Sequence, residues 1–440
     1  MYKHSYNSLV LPASQRWPVK LVYLVLDGVA DKPEDGVTSL EAARKPALDE
    51  VARRAKCGLM CPIERGVAPE SDAAVMSILG YNPHEEYTGR GPLEAVGAGL
   101  TLREGFEVAF RANFATIDPD TRRIIDRRCG RNLTSEEARE LARALDGMAL
   151  NVYDAYARVV ATVGHRAVVV IGSRSFPLSD AVDNTDPAYE KKGYVSVARP
   201  SFEPYVARAM PLVKTPEALR TAELVDMFTE LSINILKNHP VNLKRAKEGK
   251  LPANAILLRD AGGRLPRLQA IQSRFGLKFG AVAEMPVEIG IARVLGMEVA
   301  SVPPPTEDKA ADYAARLEAT LKLLDRVDAV YVHLKGPDEP GHDGDFKAKV
   351  RSIELIDEHY VAKLLRELPE DAALLVTADH ATPYTRKAHT DDPVPVALMH
   401  KKLQPDGVKE FTERLCASGS LGLVEHGWEL LPRVLALLKN

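Results

Sequence analysis

Asp379, His380 and His389 have the side-chain types that hold a divalent cation, and their setting suits that use. The apolar run beginning at Leu374 stops at Asp379-His380, and His389 follows in a polar loop marked by Thr382-Pro383, Lys387 and Asp391-Asp392-Pro393. Carboxylate oxygen and imidazole nitrogen are hard and borderline ligands for such an ion. Three more places carry the same chemistry. Asp27 closes the apolar run Lys20 to Leu26. Asp338 and His342 lie in a Gly/Pro-dense loop, Lys335 to Gly344, after Ala329 to Leu334, which can hold a carboxylate and an imidazole at fixed angles without helical spacing. Ser71, followed by Asp72, stands just before the apolar-periodic Ala73 to Leu79. Singly, each has a bland reading: a turn residue for Asp27, an N-cap for Ser71, solvated histidines for His342 and His389. Together, three Asp, three His and one Ser supply two complete sites of mixed nitrogen and oxygen ligands. A serine hydroxyl beside a dication is stabilised as its alkoxide, and a helix N-terminus adds N–H donors and a favourable dipole. That is the equipment for attack on an electrophile carrying negative charge.

The elements that must position these residues are legible from periodicity. Lys20 to Leu26, Cys57 to Ile63, Lys278 to Ala283, Glu298 to Val302, Ala329 to Leu334, Ala373 to Thr377 and Val394 to Met399 read as strands. Helical patterns alternate with them: Leu40 to Ala55, Ala73 to Leu79, Phe346 to Leu368 and a terminal helix from Trp428 to Leu438. Continuous apolar strands alternating with helices predict an α/β, doubly wound, mainly parallel sheet. In such a sheet the chemistry collects in loops beyond the carboxyl ends of the strands. From about Gly105 the character changes. Strands are expected at Val108 to Ile117, Ile124 to Arg128, Ala167 to Gly172 and Ala255 to Arg259, with helices at Ser135 to Leu145 and Pro216 to Leu236. The expectation is a core made of residues 1–104 and 266–440, with a smaller α/β cap domain inserted over 105–265.

Composition excludes several function classes. Over 440 residues, 45% are hydrophobic and 27% charged, as in an ordinary globular protein. A net charge of −3 gives a polyanion no purchase, so no nucleic-acid partner is expected. No apolar run is long enough for a bilayer, and Met1 to Lys20 lacks a signal-peptide pattern, so the expected compartment is the cytoplasm. Cys57, Cys61, Cys129 and Cys416 lack both disulfide density and a second pair at zinc-finger spacing, and read as small buried residues. Scarce Gln with abundant Arg, Glu and loop Pro points to a heat-adapted source. Oligomeric state is not legible.

Several segments fit one known pattern: Leu26-Asp-Gly28, Glu70 to Pro83 (Glu-Ser-Asp-Ala-Ala-Val-Met-Ser-Ile-Leu-Gly-Tyr-Asn-Pro), Tyr87 to Ala95 (Tyr-Thr-Gly-Arg-Gly-Pro-Leu-Glu-Ala), Asp126 to Arg131 (Asp-Arg-Arg-Cys-Gly-Arg), Gly336-Pro-Asp338, Gly341-His342 and Thr377-Ala-Asp-His380. From about Leu21 to His400 the chain resembles the archaeal-type, 2,3-bisphosphoglycerate-independent phosphoglycerate mutases of the alkaline phosphatase superfamily. The resemblance implies a two-metal phosphotransferase core, independent of 2,3-bisphosphoglycerate, with an inserted cap. Asp27, Ser71, Asp379 and His380 would surround one metal, and Asp338, His342 and His389 the other. It also implies a phosphoserine at Ser71 during exchange between 3-phosphoglycerate and 2-phosphoglycerate, a step of glycolysis and gluconeogenesis. Arg127, Arg128, Arg131 and Arg259 would contact substrate, with Lys278 as a phosphate or Ser-activating cation. The family usually places Gly before the nucleophile; this chain has Glu70. Mixed His, Asp and Ser ligation fits Mn²⁺ first, then Co²⁺ or Zn²⁺, with Mg²⁺ less typical of so much imidazole.

A mutase differs from a phosphatase or phosphodiesterase on the same core by what holds the dephosphorylated product. Glycerate retention needs cations for its carboxylate and exclusion of water. Arginine suits bidentate carboxylate contacts, and the insertion offers Arg111, Arg127, Arg128, Arg131, Arg166 and Arg259. The alternatives are a hydrolase of that kind and a non-catalytic metabolite-binding protein.

Overall fold

The computed structural model describes residues 19–193 and 195–439; the expectation for Met1 to Pro18 lies outside them. Two compact units emerge. The first comprises the chain up to Tyr87, Leu268–Glu284 and everything from Ile291; the second comprises Thr88–Arg267 and Met285–Gly290.

The first unit is built on an eight-stranded sheet. In spatial order its strands are Glu298–Val299, Phe279–Val282, Ala329–Leu334, Leu21–Leu26, Ala373–Thr377, Val394–Met399, Ala55–Met60 and Gly422–Val424. All neighbours run parallel except Val394–Met399, which is antiparallel to both of its own. Leu21–Leu26 lies in the middle with every residue buried, which is why it reads as an unbroken apolar run. Register then places the chemistry. Leu26 pairs with Leu334 and Val25 with Thr377, so Asp27, Lys335 and Asp379 leave the sheet at one edge. The antiparallel strand starts at that same edge, so the segment carrying His380 and His389 spans it.

Three helical expectations change. Leu40 to Ala55 is two helices, Ser39–Ala42 and Pro46–Arg53, because Pro46 cannot donate to a preceding turn and instead starts the second. Phe346 to Leu368 is interrupted: Phe346–Ile356 passes through a π-helical turn, Asp357–Val361, into Ala362–Glu367. From that turn the Asp357 carboxylate accepts from the backbone N–H of Ala47 (3.1 Å) and Leu48 (2.7 Å). It thereby caps a helix whose own N-cap, Lys45, offers no side-chain bond. The Asp338 segment, expected as loop, is a short helix, Asp338–Asp343.

The second unit is an antiparallel sheet in the order Ala255–Gly262, Glu107–Ile117, Arg166–Ser173, Ala155–Ala161 and Met148–Ala149, with Ile124–Asp126 paired to Glu107–Ile117. Alternate residues of Glu107–Ile117 enter different cores. Val108, Phe110, Ala112 and Phe114 pack with residues of helices Ser135–Leu145 and Pro216–Leu236, while Ala109 packs with Ala95 of helix Arg90–Gly97. That last helix corrects the expected boundary at residue 104. A Cβ on its Gly91 would lie 2.4 Å from the Asp260 carbonyl and 2.5 Å from that of Ala109, so the helix sits directly on the second sheet and the junction falls at Tyr87/Thr88.

Candidate active site

Six of the seven ligand-type residues form two triads in the first unit: Asp27, Asp379 and His380, all buried, and Asp338, His342 and His389, open to solvent at His342. In the buried triad each carboxylate has one oxygen engaged and one orphaned. Asp379 Oδ1 accepts from the backbone N–H groups of Gly28 and His380, both at 3.1 Å. Asp27 Oδ2 faces Lys335 Nζ at 3.2 Å. Asp27 Oδ1 and Asp379 Oδ2 are buried without a hydrogen-bond partner, 3.5 and 3.2 Å from His380 Nε2. Two orphaned anionic oxygens converging on one imidazole nitrogen are costly in a protein interior unless a cation joins them. The donor set therefore fits a divalent metal.

The seventh residue, Ser71, opens the helix Ser71–Ile78, and its Oγ lies 3.3 Å from His380 Nε2. Glu70, the residue before it, is exposed. In the second triad, Asp338 Oδ1 lies 3.4 Å from Nε2 of both His342 and His389, and those two nitrogens are 3.1 Å apart. The short helix puts Asp338 and His342 one turn apart on one face, so helical spacing sets their angle after all. The Nδ1 atoms of these histidines face backbone carbonyls, His342 that of Lys387 (3.2 Å) and His389 that of Pro69 (2.8 Å). A carbonyl only accepts, so Nδ1 carries the proton and Nε2 is left with its lone pair toward Asp338. This is the tautomer a metal ligand needs. The rings of His380 and His389 stack with centroids 3.7 Å apart, joining the triads.

The electrostatics agree with that donor set. Burial pulls the His380 imidazole down, but Asp379, Asp338 and Asp27 outweigh it and raise its pKa to about 9. Burial pushes the Asp338 carboxyl up, and the imidazoles of His389, His380 and His342 more than reverse this, holding it well below the usual carboxylate range. For Asp27, burial is again the largest influence and is overcome by Lys335 and His333. Without a metal, the His380 imidazolium supplies the positive charge among these carboxylates.

Sequence reasoning passes over His333 and Lys335. His333 Nε2 lies 3.5 Å from both Asp27 Oδ1 and Asp379 Oδ2, and its Nδ1 lies 2.8 Å from the Tyr331 hydroxyl. A signal is present: a His and a Lys two apart share one face of a strand end, immediately before the Asp338 segment. Lys278, by contrast, is misplaced for the role expected of it. It precedes Phe279–Val282, so in this parallel sheet it lies at the amino-end edge, half-exposed, paired with Glu298 at 3.1 Å.

In the second unit Arg128, Arg131 and Arg259 gather around His165, whose pKa burial and the cations of Arg166, Arg128, Arg131 and Arg259 push down to about 3. Arg259 is 6% exposed and stacks over Tyr189 at 4.1 Å. Arg127 differs from its neighbours. Its fork is closed on the buried carboxylate of Asp186, with Nε to Oδ1 at 2.9 Å, which makes it a support for the segment. Cys129, Gly130 and Arg131 all have positive φ (51°, 67° and 55°), a backbone conformation that persists only where surroundings impose it.

Relatives decide the family. A protein of Aeropyrum pernix described as 2,3-bisphosphoglycerate-independent phosphoglycerate mutase is 49% identical over 427 residues, covering 96% of this chain and 100% of its own. This chain belongs to the 2,3-bisphosphoglycerate-independent phosphoglycerate mutase family. The model of that family matches residues 52–242. Among solved structures, the cofactor-independent phosphoglycerate mutase of Thermoplasma acidophilum is 32% identical with a TM-score of 0.59, covering 95% of this chain and all of that one. A Pyrococcus horikoshii protein is 27% identical with a TM-score of 0.74, covering 96% of this chain and 98% of its own. The phosphoglycerate mutase fold is thus the mixed α/β, parallel-rich architecture described above. Among the described residues no helix is long and apolar enough to cross a membrane.

Proposed function

We propose that this chain interconverts 3-phosphoglycerate and 2-phosphoglycerate in the cytoplasm, as a step of glycolysis and gluconeogenesis, through a phosphoserine at Ser71 and without 2,3-bisphosphoglycerate. The observation that carries this reading is the placement of the Ser71 hydroxyl, 3.3 Å from His380 Nε2, beside two triads whose orphaned oxygens and lone-pair nitrogens suit divalent cations. Asp27, Ser71, Asp379 and His380 would hold one metal and Asp338, His342 and His389 the other, with Mn²⁺ the best match to the donors and Co²⁺, Zn²⁺ and Mg²⁺ behind it. Such ions lower the pKa of a bound hydroxyl and neutralise phosphoryl oxygens during in-line transfer.

The chain's own groups supply the rest. Ser71 Oγ forms a bond to phosphorus as the ester P–O bond breaks and glycerate leaves. The N–H groups at the start of the Ser71 helix face the transferring group, and Lys335 adds a positive charge at the same edge. Arg128, Arg131 and Arg259 are assigned to the carboxylate of the glycerate, which must stay bound while it turns. Its other hydroxyl then takes the phosphoryl group back and Ser71 is restored. A mutase assay without 2,3-bisphosphoglycerate, run with and without chelator, tests the reading. Isomerisation abolished by chelator and by Ser71→Ala is expected. Phosphate release as fast as isomerisation would instead make the protein a phosphatase.

A further inference from the structure

Thr382 stands between the two triads, fully buried, and belongs to neither. Its Oγ1 is 2.7 Å from Asp338 Oδ1 and 3.0 Å from His380 Nδ1. Counting protons fixes both bonds. The ionised Asp338 carboxylate can only accept, so the single hydroxyl proton of Thr382 goes to Asp338 Oδ1. The contact with His380 must then run the other way, with His380 Nδ1–H donating to the hydroxyl oxygen. When the imidazole carries one proton, its Nε2 is bare. Nε2 is the nitrogen that faces Asp379 at 3.2 Å, Ser71 at 3.3 Å and Asp27 at 3.5 Å. The same hydroxyl orients the Asp338 oxygen toward His342 and His389.

We propose that Thr382 is a positioning residue that sets the metal-binding tautomer of His380 and the orientation of Asp338 through one hydroxyl, so that the two cation sites are linked. Resting on the two-metal reading above, the inference extends it to a residue outside both donor sets. His342 and His389 have their Nδ1 protons held by backbone carbonyls, which no substitution removes; His380 alone relies on a side chain. The backbone of Gly28 packs against this hydroxyl. A Cβ on Gly28 would lie 2.7 Å from Thr382 Oγ1 and 2.8 Å from Asp338 Oδ1, and one on Gly341 would lie 2.5 Å from the Thr382 carbonyl.

The test uses the full-length chain, stripped with chelator and titrated calorimetrically with Mn²⁺, as wild type, Thr382→Ser and Thr382→Val. Outer-shell partners of metal ligands typically contribute about 10–100-fold in affinity. Thr382→Val is expected to weaken Mn²⁺ by that factor at both sites, while Thr382→Ser, which keeps the hydroxyl, stays within about threefold of wild type. In the chelated protein at alkaline pH, where the imidazole is neutral and no metal fixes it, ¹⁵N-histidine spectra of wild type and Thr382→Ser should show His380 protonated at Nδ1, a signature that Thr382→Val loses. Should Thr382→Val not fold, Thr382→Ala takes its place with the same expectation. A wild type that binds no divalent cation sinks the two-metal reading itself. A wild type that binds, alongside a Val or Ala variant of equal affinity and unchanged tautomer, overturns the role of Thr382 alone.

Discussion

Both units anchor the loops that carry their candidate site residues on a fully buried cation, and they differ in which one. In the first unit Lys349, from helix Phe346–Ile356, directs its three donors to Asp31 Oδ1 (2.7 Å), the Ala30 carbonyl (3.1 Å) and the Thr382 carbonyl (2.7 Å). It thus ties the segment after Asp27 to the segment after His380, more than three hundred residues apart in sequence. In the second unit Arg245, from helix Pro240–Lys247, holds the single bent stretch that carries Arg128 and Arg131. Its guanidinium meets the carbonyls of Cys129 (3.5 Å), Asn132 (3.4 Å) and Leu251 (2.9 Å), the side chain of Asn132 (2.6 Å) and Glu137 (2.8 Å). A compact ammonium suits a junction of separate strands converging on one point. A planar fork suits a bent stretch whose oxygens must be met from several directions at once.

The comparison can be broken most severely at Lys349. Lys349→Met leaves Asp31 buried without its cation, a cost of about 3–5 kcal/mol, and frees both segments that carry the proposed metal ligands. Calorimetric unfolding should show the destabilisation, and Mn²⁺ titration a loss of affinity of about tenfold or more. Unchanged metal affinity would remove Lys349 from the account of the site. Arg245→Lys sharpens the contrast, since it keeps the charge and removes the fork. Steady-state kinetics should show KM for phosphoglycerate raised about tenfold (~1.4 kcal/mol) with Mn²⁺ affinity unchanged. A fall in metal affinity equal to that of Lys349→Met would mean that the two cations do not serve separate sites.

A pH effect of about 3 kcal/mol is expected at Glu413, beside the Lys349 junction. This buried carboxylate accepts from the Asp31 N–H and the Thr38 hydroxyl, each at 2.8 Å, and burial raises its pKa from 4.5 to about 7. Asp31, Thr38 and, through Asp31, Lys349 are the groups facing it. The folded chain binds this proton more tightly than the unfolded one. Stability from this group is therefore fully present below about pH 4.5 and is lost as pH rises through about 7, by roughly 1.4 kcal/mol for each pH unit between those two values. Denaturant melts of the chelated protein should show the loss between about pH 5 and 8, and Glu413→Gln should flatten it. The smallest effect belongs to His165. An anion bound among Arg128, Arg131 and Arg259 offsets the charges that hold its pKa at about 3, so phosphate should move its imidazole titration upward in NMR spectra, and Arg259→Gln should reduce that change.

What can be read from sequence follows the same division. The parallel strands are visible because burial on both faces makes them unbroken apolar runs, and their ends locate Asp27, Asp338 and Asp379. Ala329–Leu334, Ala373–Thr377 and Val394–Met399 lie where periodicity puts them. Lys349 and Arg245 are invisible because each sits in a helix among charged residues and looks like part of a wet face; only tertiary packing withdraws it from water. The short strands Ala155–Ala161, Tyr189–Lys192 and Val195–Ala198 escape because polar and charged residues interrupt them. Lys278 fails for a topological reason: sequence position near a strand does not say which edge of the sheet it faces. The ion pair of Arg127 is not legible because its partner Asp186 is remote in sequence and fully buried.

Rapid quenching of the metal-loaded protein during turnover with phosphoglycerate, followed by peptide mass spectrometry, tests the central claim most directly. One phosphoryl group is expected, on Ser71, with none in the chelated protein. Turnover with no phosphoryl group on the chain, or with one on a different residue, would contradict it.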